Sequence, residues 1–327
     1  MNQETQSPKS KIQNAPVFAF VPSYNHAPFI ERCLRSIFKQ TYAPAKLLVI
    51  DDGSKDDSPR LITRILSDCP FPSEFIAREN RGLCATLNEG FDRSEGEFFA
   101  YLGSDDVWLQ QFIENRVELL GQNPNAVLAY GNAFLIDEND AVIENSARWN
   151  LYKADNEREM LLRGIAPISS SVLYRRASLE KVRWNDDSRL EDYELYLKML
   201  NVGAFAFDEN VAAAWRQHDH NTSGDTDLML TEVLAALNRN AESLGISDEA
   251  QKRKYMALTE LAYSENFARN YNKSAALRIL RKNFYESPSV KFVLRSALRL
   301  LIPNAILRWR KSVNRRNTAR EYQNFNF

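Results

Sequence analysis

No run of 18 or more apolar residues occurs in this 327-residue chain, which excludes an ordinary membrane-crossing helix. Cysteine is scarce too. Cys33, Cys69 and Cys84 are odd in number and form no C-x-x-C pair. A disulfide framework is therefore not indicated, and a reducing cytoplasm with free thiols is the simplest reading. Histidine occurs three times and never beside cysteine at zinc-ligand spacing. The first 15 residues lack the apolar stretch of a secretory signal and read as a flexible tail. Acidic residues are missing from 287–320, where nine Lys or Arg stand; the rest of the chain holds 33 basic against 43 acidic residues, a net of −10 behind an overall −1. A mildly acidic body with a basic tail implies an anionic partner for the tail.

What is present is ordinary for a soluble globular protein: 44% hydrophobic and 26% charged residues. The length allows one α/β domain of roughly 200–250 residues plus a smaller addition. The first hundred residues alternate strand and helix signals. Short apolar runs at 17–21, 47–50, 74–77 and 97–102 read as buried strands. Between them, 28–40, 57–67 and 83–93 read as helices, the first with Phe29, Ile30, Leu34, Ile37 and Phe38 at helical spacing and Pro28 in its first turn. This alternation predicts a parallel, doubly wound sheet with its strand C-termini, and hence its ligands, along one edge. Further strands are expected at 126–136, 170–176 and 204–215, and a helix at 191–201. From about 226 the chain reads as helices only. The expected division is a tail over 1–15, an α/β domain over 16–224 and a helical region over 225–327.

Four polar clusters follow the four predicted strands: Pro22-Ser23-Tyr24-Asn25, Asp51-Asp52-Gly53-Ser54, Asn80-Arg81-Gly82 and Ser104-Asp105-Asp106. One such cluster alone is usually a solvated turn. Four in succession on one sheet edge are hard to explain as turns. No G-x-G-x-x-G follows the first strand, which argues against a dinucleotide-dependent dehydrogenase.

Asp105-Asp106 suits a divalent cation. A diphosphate placed beside carboxylates repels them, and Mg²⁺ or Mn²⁺, with their preference for oxygen ligands, removes the conflict. A structural alternative is a cap for a helix starting at Val107; it accounts for one aspartate and not both. Glu191-Asp192 stands at a predicted helix start, where acids favour the dipole. The sharper reading is a general base that takes the proton from an attacking hydroxyl. Arg216, His218 and His220, close together near a phosphate site, could ligate metal or bind phosphate.

Taken as a set, P-S-Y-N (22–25), D-D-G-S (51–54), N-R-G with A-x-L-N-x-G (80–90), G-S-D-D (103–106), E-D (191–192) and R-x-H-x-x-N-x-S (216–223) resemble the family 2 glycosyltransferases, over residues 16–224. The resemblance implies a GT-A fold, an inverting mechanism, and a UDP-sugar donor with Mg²⁺ or Mn²⁺. It places Pro22, Tyr24 and Asp52 at the nucleoside, with Asp52 accepting a hydrogen bond from the base. Asn25 and Ser104 belong to the same donor-binding motifs, and Asn80, Arg81 and Gly82 lie near the nucleotide. Asp105, Asp106 and His218 match the metal and diphosphate positions, Asp192 matches the base with Glu191 beside it, and His220 has no clear counterpart. Many members read L-D-x-D-D in the fourth cluster. Here Gly103 replaces the first aspartate, which puts metal dependence in question.

Residues 288–302 carry Lys291, Arg295 and Arg299 on one helical face and Val290, Val293, Leu294, Ala297, Leu298 and Leu301 on the other. Trp309 and further cations follow, so 288–316 read either as a membrane-surface helix or as a helix packed on the domain. Nucleic acid is disfavoured, because no stacking aromatics interleave the charge. The expected activity is transfer of a sugar to a glycan or polyprenyl-linked acceptor in cell-surface polysaccharide synthesis of the O-antigen type, on the inner face of the cytoplasmic membrane. A polyprenyl-phosphate glycosyltransferase and a degenerate nucleotide-sugar binding protein are the alternatives.

Overall fold

The computed structural model describes residues 14–219, 221–323 and 325. The expected N-terminal tail, save its last two residues, and His220 lie outside them. The first hundred residues form β1 (Val17–Ser23), α1 (Ile30–Phe38), β2 (Lys46–Asp51), α2 (Ser58–Leu66), β3 (Ser73–Ala77), α3 (Leu83–Asp92) and β4 (Phe98–Tyr101). These four strands lie parallel in the order β3-β2-β1-β4. Every residue of β1 is buried, so its run is continuously apolar rather than alternating, as a strand covered on both faces requires. Helix α3 approaches the sheet at Gly90, where an added Cβ would stand 2.5 Å from the Phe20 ring. Alanine there would force repacking at a cost of about 1–3 kcal/mol.

Beyond β4 the pattern changes. β5 (Val107–Trp108), α4 (Phe112–Gln122), β6 (Ala126–Ile136), β7 (Val142–Asn145), α5 (Glu157–Leu162), β8 (Leu173–Arg175), α6 (Arg176–Leu179), α7 (Asp192–Met199) and β9 (Ala204–Arg216) complete a nine-stranded sheet, β3-β2-β1-β4-β8-β6-β9-β5, with β7 on β6. β8 is antiparallel to β4 and β6; β6 is parallel to β9; β5 is antiparallel to β9. The doubly wound parallel pattern thus describes the first four strands, and the whole sheet is mixed. β6 and β7, for example, are joined by a tight turn in which Asp137 N–H donates to Ala141 O at 3.0 Å, too short for a crossover.

Asp106 caps no helix. Val107 and Trp108, a β-branched and an aromatic residue, pair instead with Ala214 and Ala213 of β9. The Trp108 ring stacks on Phe112 at 4.4 Å and its Nε1 donates to Ser170 O at 2.9 Å. Burial of this side chain overrides helix initiation, and α4 begins only at Phe112.

After β9 the described residues hold helices only: short 3₁₀ turns and α8 (Thr226–Asn240), α9 (Glu249–Arg269), α10 (Lys273–Lys282), α11 (Val290–Leu301) and α12 (Asn304–Glu321). Asp225, Asp248, Asn272 and Ser289 cap α8 to α11 by accepting from backbone N–H groups of the first turn. Arg239 of α8 reaches Glu194 of α7 at 2.6 Å, joining the helices to the sheet domain. The chain returns to the sheet after α12, where the Tyr322 ring meets Phe134 at 4.8 Å and Asn145 Nδ2 donates to the Tyr322 hydroxyl at 3.1 Å. The apolar face of α11 does not pack on the domain: Val290, Leu294, Leu298 and Leu301 remain 73, 58, 63 and 78% exposed.

Candidate active site

One cleft of about 2860 Å³ runs along the C-terminal ends of β1, β2 and β4 and on to the last two helices. Of the residues singled out in the sequence, Pro22, Tyr24, Asn25, Asp52, Asn80, Gly82, Ser104, Asp105, Asp106, Glu191, Asp192 and His218 all line it; Arg81 does not.

The loops after β1, β2 and β3 are tied to one another before any ligand enters. Asn25 sits at φ 54°, a left-handed conformation that asparagine tolerates. Its N–H donates to Ser54 Oγ at 2.8 Å and its Oδ1 accepts from Lys55 N at 2.7 Å. The buried Asp51 holds Ser54 through both its backbone N–H (2.9 Å) and its hydroxyl (2.6 Å). Asp52 accepts from the Arg78 guanidinium, from Arg81 N–H at 2.8 Å and from Gly82 N–H at 2.9 Å. Both its oxygens are therefore engaged by the 78–82 loop, with lone pairs remaining for a further donor. Gly53 permits this closeness: at φ +81°, a Cβ there would stand 2.7 Å from Asn80 N. Tyr24, 47% exposed, is left free to face a ligand.

Across the fourth loop lies a group suited to a cation. His218 Nε2 is 3.0 Å from Asp105 Oδ2, and His26 Nδ1 is 3.8 Å from Asp105 Oδ1. One ligand atom from each of His26, Asp105 and His218 falls within 4.8 Å of the others. Ser104 Oγ is 2.8 Å from His26 Nδ1 and fixes that ring, while Phe29 stacks on His218 at 5.0 Å. Burial pushes the His26 imidazole below its ordinary pKa, against the pull of Asp105, so the ring is neutral and can ligate at pH 7. Burial raises Asp105, but its hydrogen bond with His218 and the neighbouring histidine charges outweigh that, and its carboxyl lies below the usual range. One carboxylate and two imidazoles so arranged fit a divalent cation.

His26 was not singled out in the sequence. The available signal was that it directly follows Pro22-Ser23-Tyr24-Asn25 and is one of three histidines. Asp106, by contrast, is not brought into this group. Its Oδ1 accepts from Arg216 N–H at 2.8 Å, and burial, then Asp105, push its carboxyl far above the usual range. Arg216 is also not free to bind phosphate: it is 1% exposed and its guanidinium donates to Asp105 O (2.7 Å), Asp137 O (2.7 Å) and Asp140 Oδ1 (2.6 Å). Its role is to lock the 103–106 turn to the end of β9.

Glu191 and Asp192 stand at the start of α7 and line the same cleft. Asp192 Oδ1 accepts from Tyr193 N–H at 2.6 Å, and the Tyr193 hydroxyl donates to Leu161 O at 2.6 Å, which fixes the helix start. Burial pushes the Asp192 carboxyl up to about 6. Burial and then the Asp192 charge push Glu191 up to about 8. The pair therefore holds one proton near neutral pH, with Asp192 the member more readily ionised. Glu194, one turn on, is bound to Arg239 and Asn185 and is structural.

A model of the family described as glycosyl transferase family 2 matches residues 18–183. An uncharacterized glycosyltransferase of a Nostoc species (strain PCC 7120) is 30% identical over 170 residues, 51% of this chain and 52% of its own. The chondroitin synthase of Escherichia coli is 27% identical over 261 residues, 77% of this chain and 37% of that protein. This chain thus spans about half or less of the length of these two relatives. Among solved structures, S. aureus TarS 1–349 in complex with UDP-GlcNAc superposes with a TM-score of 0.58 at 15% identity, over 95% of this chain and 93% of that one. The mannosyltransferase PcManGT from Pyrobaculum calidifontis, in complex with GDP-Man and Mn²⁺, gives 0.60 at 16% identity, over 95% and 87%. At such identities the likeness is one of fold: a GT-A-like mixed α/β sheet flanked by helices.

Proposed function

This chain belongs to glycosyl transferase family 2, and from that membership we propose that it moves a sugar from a nucleotide donor, UDP-linked in the first instance, to a hydroxyl of a glycan or lipid-linked acceptor, with inversion at the anomeric carbon. The observation that carries this reading is the pairing, in one cleft, of a cation-ready group (His26, Asp105, His218) with an acid pair that holds one proton (Glu191, Asp192).

In this reading residues 16–224 form the catalytic domain and 225–327 a helical region. Tyr24 stacks at the nucleoside, and Pro22, Asn25, Asn80, Gly82 and Ser104 shape its walls. Asp52 positions the 78–82 loop and accepts from the base with its remaining lone pair. His26, Asp105 and His218 hold a divalent cation. When bound, that cation neutralises the diphosphate and the charge that develops as it leaves. Two imidazoles in the set favour Mn²⁺ over the oxygen-seeking Mg²⁺. Asp192 takes the proton from the attacking hydroxyl on the face opposite the leaving group, which yields inversion. Glu191, protonated at neutral pH, leaves that charge to Asp192 alone. Gly103 does not speak for a degenerate site. A Cβ there would stand 2.9 Å from Asp105 Oδ1, so glycine leaves room for the carboxylate that remains. The basic, partly apolar surface of α11 and α12 supports work at the cytoplasmic face of an anionic membrane, in surface polysaccharide synthesis.

The test is donor binding and slow donor hydrolysis across UDP-, GDP- and dTDP-sugars, with Mn²⁺ or EDTA. Metal-dependent binding of one donor, lost in Asp105→Ala, is the expected result. Failure of every donor to bind, with or without metal, would refute the reading.

A further inference from the structure

Tyr101 ends β4 and lines the cleft, yet only 2% of it is exposed. Its ring stacks on Tyr174 with centroids 6.3 Å apart and meets the Trp184 ring edge-on at 5.9 Å. Packing therefore fixes where the ring stands before any ligand enters. The hydroxyl is left over. Among the described residues nothing completes a hydrogen bond with it, and of the buried side-chain polar atoms in that condition it alone belongs to a residue lining the cleft. Ser169 and Glu191 are near enough to bear on its proton, and both line the cleft, so the polar end of the ring is the end turned toward it. Two residues on, Gly103 has no side chain to offer. Burial, then the charge of Glu191, hold the phenol far above its ordinary range, so it is a neutral hydroxyl that can both donate and accept. Leaving such a group unpaired is costly, and phenylalanine would fill the same space without that cost.

The position of this hydroxyl narrows what can complete it. Tyr101 stands four residues before Asp105 and feels the charges of Glu191 and Asp192. Glu191 in turn feels Asp105. The cation-ready group and the acid pair thus face one short interval, and Tyr101 lies in it. In the transferase reading the nucleoside is held elsewhere, by the loops after β1, β2 and β3, and the diphosphate by Asp105 and its histidines. What remains between the diphosphate and the base is the sugar itself, whose ring carries hydroxyls able to pair with a phenol.

We propose that Tyr101 is a specificity-determining residue, whose hydroxyl exchanges a hydrogen bond with one hydroxyl of the transferred sugar and so selects among donors that share a nucleotide. The inference rests on the transferase reading above, since it concerns the sugar of that site.

The experiment is Mn²⁺-supported donor hydrolysis by the full chain, wild type and Tyr101→Phe, on UDP-glucose, UDP-galactose, UDP-N-acetylglucosamine and UDP-xylose, with binding of UDP alone as the reference. The wild type should prefer one sugar. Tyr101→Phe should narrow its kcat/KM advantage by about tenfold, the effect of one neutral hydrogen bond, while UDP binds within about twofold of wild type. Because the hydroxyl has no partner in the free protein, Tm should not fall. A preference left intact by the substitution would overturn the proposal, and so would a wild type that does not discriminate. Equal slowing of every donor, with the acid limb of the pH profile displaced, would make Tyr101 a partner of Glu191 instead. A lowered Tm would show that the hydroxyl is already paired, and would also count against the proposal. If the wild type binds neither UDP nor any of the four donors, the transferase reading falls and the inference with it. Donors bound and hydrolysed with the preference intact in Tyr101→Phe defeat the inference alone.

Discussion

Asp105-Asp106 and Glu191-Asp192 are both adjacent acid pairs lining one cleft, and they have been given opposite surroundings. In the first, the hydrogen bond with His218 and the nearby His26 hold Asp105 down against its burial, while burial and then Asp105 push Asp106 far upward, against the hydrogen bond it accepts from Arg216 N–H. Around the second, burial prevails over the hydrogen bonds at the helix start, and both members rise. Two carboxylates taken out of water must find a cation or a proton. In the proposed reading one member of the 105–106 pair would take a metal, and the 191–192 pair shares a proton.

The sharpest way to break this contrast is Asp192→Asn. Sugar transfer should fall by about 10³, within the range for a lost general base, while donor binding stays. Single-turnover transfer beside donor titration reads both, and a fall of less than tenfold would place the base elsewhere. Asp105→Asn should weaken Mn²⁺ binding by about a hundredfold, and His26→Ala by about tenfold. Asp106→Asn should change it little, since its Oδ1 faces Arg216 N–H. Calorimetric Mn²⁺ titration distinguishes the three, and equal losses from Asp105 and Asp106 would merge the roles separated here.

The next prediction concerns pH. A base with its carboxyl raised to about 6 is protonated below that value, so kcat/KM should drop about tenfold per pH unit below 6 and level off above it. An acid limb near pH 4 would mean that Asp192 is not desolvated in solution. The smallest effect is on stability. Glu191 binds its proton more tightly folded than unfolded, so the fold loses stability as pH rises from the ordinary glutamate range through about 8. Glu191→Gln should remove that loss and stabilise the protein at pH 8 by on the order of 1–2 kcal/mol, about 2–4 °C in Tm per kcal/mol. Thermal scans at pH 5 and pH 8 check it; no difference between them would show that the raised carboxyl is not part of the native state.

The sequence made the first half of the site legible because β1 to β4 are short apolar runs each followed by a polar loop, and parallel topology alone brings those loops together. Asp105, Asp192 and His218 were found through motif. His26 was not, because its partners arrive from 78 and more positions away and no local pattern marks it. Asp106 and Arg216 were read as ligand-facing. Their side chains and backbone satisfy each other, a pairing across 110 positions that neither segment discloses alone. The mixed half of the sheet escaped for a related reason: strand direction in β5, β8 and β9 is settled by which buried side chains meet, not by periodicity. The face of α11 was ambiguous because an apolar stripe looks the same whether a domain or something else covers it.

His218 meets Asp105 across 113 positions, and it stands just past β9, a strand that pairs with β6 and β5 rather than with the first four. Closing that contact is among the longest loops the chain must form, and non-local contacts of this kind are made late. In the proposed reading, a chain with only β1 to β4 in place would have its donor loops and lack the His218 side of the ion site. Uptake of Mn²⁺ should accordingly mark the moment at which the last strand docks during refolding, so that a half-assembled molecule can hold a donor without being able to discharge it.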